Sequence, residues 1–188
     1  MTQKKTQSPP PKAGVYAGSF DPITRGHTDI ILQAARLLPK LHVVVGVNPL
    51  KSGGLFTPDE RVDMIRHEIE TAVKPQLEKE GIACDIKVAK HSGLTVAFME
   101  AQNAPFLIRG LRLGTEFDAE YPTLVANHKE YNKFTPVFLC TTDPHLQIIS
   151  STLARELERF SGKSVKEYVS PHVAKKLKKR IDEKGLRF

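Results

Sequence analysis

The chain has 188 residues, 40% hydrophobic and 26% charged, which suits one soluble domain with a sizeable core. No apolar run reaches the ~18–20 residues of a membrane span, residues 1–12 lack the apolar core of a secretory signal, and Cys84 and Cys140 have no metal-type spacing, so a cytoplasmic protein with reduced thiols is expected. The net charge of +7 sits at the ends: residues 161–188 hold nine Lys/Arg against three acids, and residues 1–14 hold three lysines and no acid. The middle is slightly acidic, which removes most of the support for a nucleic-acid partner.

Residues 1–13, with Pro9-Pro10-Pro11, read as a disordered tail ahead of a single domain over 14–188. A first strand is predicted over 14–18 and a first helix over 26–38, ended by Pro39. Between them lies Gly18-Ser19-Phe20-Asp21-Pro22-Ile23-Thr24-Arg25-Gly26-His27, a strand-to-helix turn. Glycine lets backbone approach a ligand, and a helix start offers unpaired N–H groups and a positive dipole end, which suits phosphate.

Residues 41–47 are β-branched and nearly continuous, as in a strand buried on both faces of a parallel sheet. A loop over 48–55 carries Lys51. Thr57-Pro58-Asp59-Glu60 is a helix start with a capping box, and that helix is predicted to run to about 73, followed by a polar connection over 75–81. A third strand over 83–89, a short helix over 94–102 and a short strand over 106–108 come next. That strand enters Arg109-Gly110-Leu111-Arg112, whose guanidinium groups suit either bidentate phosphate binding or salt bridges to Glu116, Asp118 or Glu120.

Residues 114–131 have helical character that Pro122 is expected to break or kink. A fifth strand over 137–140 leads to Ile149-Ser150-Ser151-Thr152 and a helix over about 150–160. Ser170-Pro171 caps a last helix over about 171–184, whose basic stretch 175–180 reads as a solvated face. Five alternations of strand and helix argue for an α/β fold, a Rossmann-like doubly wound five-stranded parallel sheet with a C-terminal helical extension. The loops 18–27, 48–56, 90–95, 109–120 and 142–151 each follow a strand and should meet at one edge of the sheet, where such folds bind ligands.

The pattern Gly-x-Phe-Asp-Pro-x-Thr-x-Gly-His ending at His27 resembles the signature of the HIGH-type nucleotidyltransferases. With Arg109-Gly110-Leu111-Arg112 and Ile149-Ser150-Ser151, it resembles the phosphopantetheine adenylyltransferase branch over about residues 14–175. The resemblance implies transfer of the adenylyl group of ATP to 4′-phosphopantetheine, giving dephospho-coenzyme A and pyrophosphate. It implies His27 as transition-state stabiliser, with Lys51 and Arg109 holding the acceptor phosphate and Thr95 lining the pantetheine site. Ser19, Phe20, Gly110, Leu111, Arg112, Glu120, Leu146, Gln147, Ile148, Ile149, Ser150, Ser151 and Thr152 would contact ATP, and Ser19 also the acceptor. Mg²⁺ would be carried mainly on the ATP phosphates, with no protein ligand for it, and relatives form hexamers. Arg155, one turn into the helix after Ser151, could assist.

The chain departs from the family's usual pattern in having Ser19 for Thr, Pro122 in the segment after the arginines, no aromatic residue before Ile149-Ser150-Ser151, and a Lys51 loop longer by one residue. The nearest alternative is a nicotinate mononucleotide adenylyltransferase, a branch that usually carries His at the position of Thr24. An alternative of another class is a non-catalytic nucleotide- or nucleic-acid-binding protein using its basic C-terminal helix.

Overall fold

The computed structural model describes residues 12–47, 54–112 and 115–188, the side chains of residues 115, 116 and 119 aside. Five parallel strands, β1 (Ala13–Gly18), β2 (Lys40–Val47), β3 (Asp85–Ser92), β4 (Phe106–Leu111) and β5 (Thr135–Cys140), form one sheet in the order β3-β2-β1-β4-β5. This is the expected Rossmann-like α/β architecture. The order places β1 at the centre and reverses direction of travel beside it, the position where such sheets open a crevice at their carboxyl ends.

Alternation along the strands divides the core in two. Tyr16, Val43, Val45 and Ile108 face one side with α1 (Arg25–Leu37), α2 (Pro58–Glu68), α6 (Ser151–Phe160), α7 (Val165–Tyr168) and α8 (Pro171–Glu183). Val15, Ala17, Val44 and Leu107 face the other with α4 (Thr95–Ala101) and Leu124 of α5 (Thr115–Glu130). Helix α8 lies antiparallel to α2: Ser170 donates to Glu68 at one end and Arg180 pairs with Glu60 at the other. Val173, Leu177 and Ile181 are fully buried between them.

Several boundaries differ from the sequence expectation. β1 starts at Ala13, which is buried, and the rest of the expected tail, 1–11, lies outside the described residues. Residues 75–81 are not a connection: α2 continues through a π-turn, Ile69–Val73, into α3 (Lys74–Lys79). The π-turn shifts the hydrogen-bond register, so Pro75 stands at the start of a fresh helical segment, where its missing N–H costs nothing.

Helix α5 runs unbroken through Pro122. The lost hydrogen bond and ring clash cost about 3 kcal/mol, and burial of Leu124 and the edge contact of Phe117 with Phe138 oppose that cost. β4 extends to Leu111, so Arg109, Gly110 and Leu111 are strand residues and not loop. The stretch 175–180 is not wholly a solvated face, because Leu177 is core and Arg180 points back onto the body of the fold.

Candidate active site

The carboxyl ends of β1, β2 and β4 and the segment after β5 open onto a cleft of about 940 Å³. Arg61, Arg112, Arg155, Arg180 and Lys184 line it, against the single carboxylate of Asp21 among the described residues. A concave site with that balance selects an anionic ligand.

The turn from β1 into α1 forms its floor. Thr24 is the N-cap of α1, 2% exposed, and makes a capping box with His27. The Thr24 N–H donates to His27 Nδ1 at 3.0 Å, and the Thr24 hydroxyl lies 2.9 Å from the same nitrogen. Because Nδ1 accepts, the neutral ring carries its proton on Nε2. Burial, then the Arg112 charge, push the imidazole pKa down to about 4, so at neutral pH the ring is an uncharged Nε2–H donor. Phe20 packs beneath it, edge-on to His27 at 5.1 Å and to Tyr16 at 5.3 Å. Phe20 holds a left-handed φ of 46°, a conformation costing about 1–2 kcal/mol that its complete burial maintains.

Asp21 ties the turn to three other elements. Its carboxylate accepts from Leu55 N at 2.8 Å and Phe56 N at 2.9 Å, and faces Arg61 Nε at 3.3 Å. Arg155 of α6 donates to the Asp21 carbonyl and to Thr152 Oγ1 at 3.1 Å. Ser151 Oγ donates to Pro22 O at 2.7 Å, and Ser150 caps α6 by accepting from Leu153 N at 3.0 Å. The start of α6 is therefore bonded directly to the turn that starts α1. Arg112 closes the same end by donating to Ile149 O at 3.2 Å.

The cleft brings together Ser19, His27, Gly110, Leu111, Arg112, Ile149, Ser150, Ser151 and Thr152 of the expected site. Ser19 is exposed within it. Gly110 fits closely there: a Cβ would stand 3.1 Å from Ile30 Cγ1 and 3.3 Å from the Tyr16 hydroxyl. Phe20 is buried below the lining, while Leu146, Gln147, Ile148 and Thr95 lie outside it. Lys51 lies outside the described residues.

Arg109 and Glu120 pair with each other, and neither lines the cleft. Strand alternation explains this: Ile108 and Gly110 face α1, whereas Leu107 and Arg109 face the α4–α5 side. Of the two readings open to the arginines in the sequence, Arg109 makes a salt bridge. The sequence reading missed Asp21, Arg61 and Arg180. Asp21 stood inside the turn before α1 and Arg61 inside the helix start at Thr57-Pro58-Asp59-Glu60, whereas nothing local to Arg180 marked it, because its partner Glu60 lies on another helix.

The parallel sheet, the imidazole held at a helix start and the cationic cleft together define an α/β protein with a site suited to a phosphate-bearing ligand. The cytidylyltransferase-like family model matches residues 15–157. Phosphopantetheine adenylyltransferases are similar over nearly the whole chain. The one from Zymomonas mobilis is 36% identical over 90% of this chain and 90% of that protein. That from Sphingopyxis alaskensis is 37% identical over 94% and 97%, and that from Carboxydothermus hydrogenoformans 36% over 93% and 99%. Among solved structures, Plasmodium falciparum nicotinic acid mononucleotide adenylyltransferase complexed with NaAD superposes with a TM-score of 0.63 at 18% identity, covering 94% of this chain and 97% of that one, a likeness of fold. The chain belongs to the cytidylyltransferase-like family, on its phosphopantetheine adenylyltransferase branch, and is a nucleotidyltransferase.

Proposed function

We propose that the cleft transfers the adenylyl group of ATP to the phosphate of 4′-phosphopantetheine, releasing pyrophosphate and dephospho-coenzyme A, as the names of its relatives indicate. The observation that carries this reading is the Thr24–His27 box: it aims an uncharged N–H donor from a helix start into a cationic cleft. The acceptor phosphate has a second pKa near ~6 and is already ionised at neutral pH, so the reaction needs no general base. Catalysis is then positioning and charge stabilisation at the α-phosphorus.

His27 Nε2–H would donate to the α-phosphate as charge builds there. The N–H groups at the start of α6, the hydroxyl of Thr152, Arg112 and Arg155 suit the leaving pyrophosphate. Lys51 would take the acceptor phosphate, and Arg109 would join it by leaving Glu120 and turning round the end of β4 from the α4–α5 side. The Arg109–Glu120 pair is partly exposed and so worth at most about 1 kcal/mol, which a doubly charged phosphate can displace.

Among the described residues no cluster of three or more His, Cys, Asp or Glu could hold a metal ion, and Asp21 is committed to backbone and arginines. Mg²⁺ as cofactor would be carried mainly on the phosphate oxygens of the nucleotide, where it would neutralise charge on the leaving group.

Phe117, Tyr121 and Val125 are exposed at i, i+4 and i+8 on α5, a stripe that self-association, as in the hexamer expected from the sequence, would cover. Free Cys84 and Cys140 agree with a cytoplasmic setting. No described helix is long and apolar enough to cross a membrane.

Pyrophosphate release is the test, with ATP and either 4′-phosphopantetheine or nicotinate mononucleotide as acceptor. Turnover is expected with the first and not the second. His27→Ala should fold and lose about 10²–10³ in rate, by analogy with loss of an oxyanion-hole donor. Near-wild-type turnover in that variant overturns the reading.

A further inference from the structure

We infer that Arg180, from the C-terminal helix, is a positioning residue of this cleft: it fixes the backbone strip Leu55-Phe56 that holds Asp21, and through Asp21 the turn that presents His27. The strip lies between β2 and α2 and belongs to no helix or strand. Its backbone polar groups are met by side chains from three different parts of the chain. Leu55 N–H and Phe56 N–H go to the Asp21 carboxylate. Phe56 O accepts from Arg61 Nε at 2.8 Å, and Leu55 O accepts from Arg180 Nη1 at 2.9 Å.

Arg180 is placed to do this by the body of α8, where Leu177 and Ile181 on either side of it in sequence are fully buried. Its fork also pairs with Glu60, which caps α2 by accepting from Thr57 N at 2.8 Å, and its guanidinium lies 5.1 Å from the Phe56 ring centroid. One side chain therefore holds the carbonyl of the strip, the cap of the helix that follows it and the ring between them. Gly54 shows how tightly the strip is seated, since a Cβ there would collide with Arg61 Nη2 and Asp21 Oδ2.

Without Arg180, Leu55 O loses its partner and Glu60 loses its counter-charge. The two N–H groups on Asp21 then sit on a segment that keeps the Arg61 bond and the burial of Phe56 but has lost the partner of Leu55 O. Small displacements of a group that must meet a transition state lower turnover more than they lower binding.

The catalytic half of this inference rests on the adenylyl-transfer reading; the backbone half does not. The experiment therefore has two measurements on the full-length chain, with Arg180→Ala, Arg180→Lys and, as a control for lost stability, Arg187→Ala. Arg187 meets Glu158 near the end of α6 and Asp182 near the end of α8, and does not line the cleft. Hydrogen exchange should be faster by about tenfold at the amides of residues 55 and 56 in Arg180→Ala, unchanged there in Arg187→Ala, and partly restored in Arg180→Lys.

At saturating substrates kcat should fall about tenfold in Arg180→Ala with KM for ATP within twofold, recover in part in Arg180→Lys or on adding guanidinium ion, and stay near wild type in Arg187→Ala. Unchanged exchange at residues 55 and 56 overturns the inference, whether or not the wild-type chain turns over with pantetheine phosphate. So does an equal loss of kcat in Arg180→Ala and Arg187→Ala. A wild-type chain without turnover overturns the proposed reaction, and the exchange result still decides the role of Arg180.

Discussion

The two nitrogens of His27 do different work, and two substitutions separate them. Nδ1 accepts from the Thr24 N–H at 3.0 Å, so it completes the cap of α1. Nε2 carries the proton and, in the proposed adenylyl transfer, would donate it in a hydrogen bond to the α-phosphate. An asparagine side chain reaches about as far as Nδ1 and can accept the Thr24 N–H, but it puts no donor where Nε2 stands. A glutamine places its amide N–H₂ near the Nε2 position and leaves the cap poorly met.

His27→Asn should therefore keep stability to within about 0.5 kcal/mol while kcat falls by about 10²–10³, the 2.7–4 kcal/mol of a lost transition-state donor. His27→Gln should lose about 1 kcal/mol of stability, the worth of a helix cap, and keep more turnover than His27→Asn by at least tenfold. Urea unfolding gives the first quantity, and pyrophosphate release with ATP and 4′-phosphopantetheine gives the second. If His27→Asn turns over within a factor of ten of wild type, the donor role is wrong. If both variants lose turnover equally and the stabilities follow the same order, His27 matters only as a cap.

The depressed His27 pKa of about 4, against 6.5 for an unperturbed ring, makes the unfolded chain take up the proton first. Stability should fall as pH is lowered from about 6.5 to about 4, by about 3 kcal/mol at most, and His27→Asn should remove that slope in urea titrations run at each pH. Glu60 works in a lower window. Arg180 and the Thr57 cap hold it at about 2 against 4.5, so its contribution is present above 4.5 and is lost as pH falls towards 2. The pair is partly exposed, which limits it to about 1 kcal/mol or less, and Glu60→Gln should flatten only that part of the curve. Asp21→Ala leaves Arg61, 8% exposed, without its carboxylate and two backbone donors unmet; about 3–5 kcal/mol should be lost in urea, and a loss below 1 kcal/mol would contradict the network. Gly54→Ala should cost at least about 2 kcal/mol by the clash with Arg61 and Asp21, and an unchanged thermal midpoint would show that the strip can move aside.

Much of the architecture was legible because its causes are local. Continuous β-branched residues at 41–47 announce a strand buried on both faces, and Thr57-Pro58 and Ser170-Pro171 announce helix starts that the structure shows as N-caps. The turn from Gly18 to His27 was legible as the passage from a strand to a helix start, which the structure shows. Proline misled twice. Its penalty is local, but whether a helix survives it depends on a π-turn before Pro75 and on the packing of Leu124 and Phe117 around Pro122.

The sequence by itself determined the succession of strands and helices and the strand-to-helix turn before α1, because periodicity and turn chemistry are properties of neighbours along the chain. Only the tertiary structure decided which cations share the cleft. Arg109 and Gly110 are adjacent in sequence yet face opposite sides of β4, so one meets Glu120 and the other admits Ile30 and Tyr16 beside the cleft. Arg180 is distant from His27 in sequence and reaches the cleft because α8 runs back along α2. Which face a strand residue takes, and where a helix ends after crossing the fold, are set by the burial of the apolar residues around them, and those contacts exist only once the chain has packed.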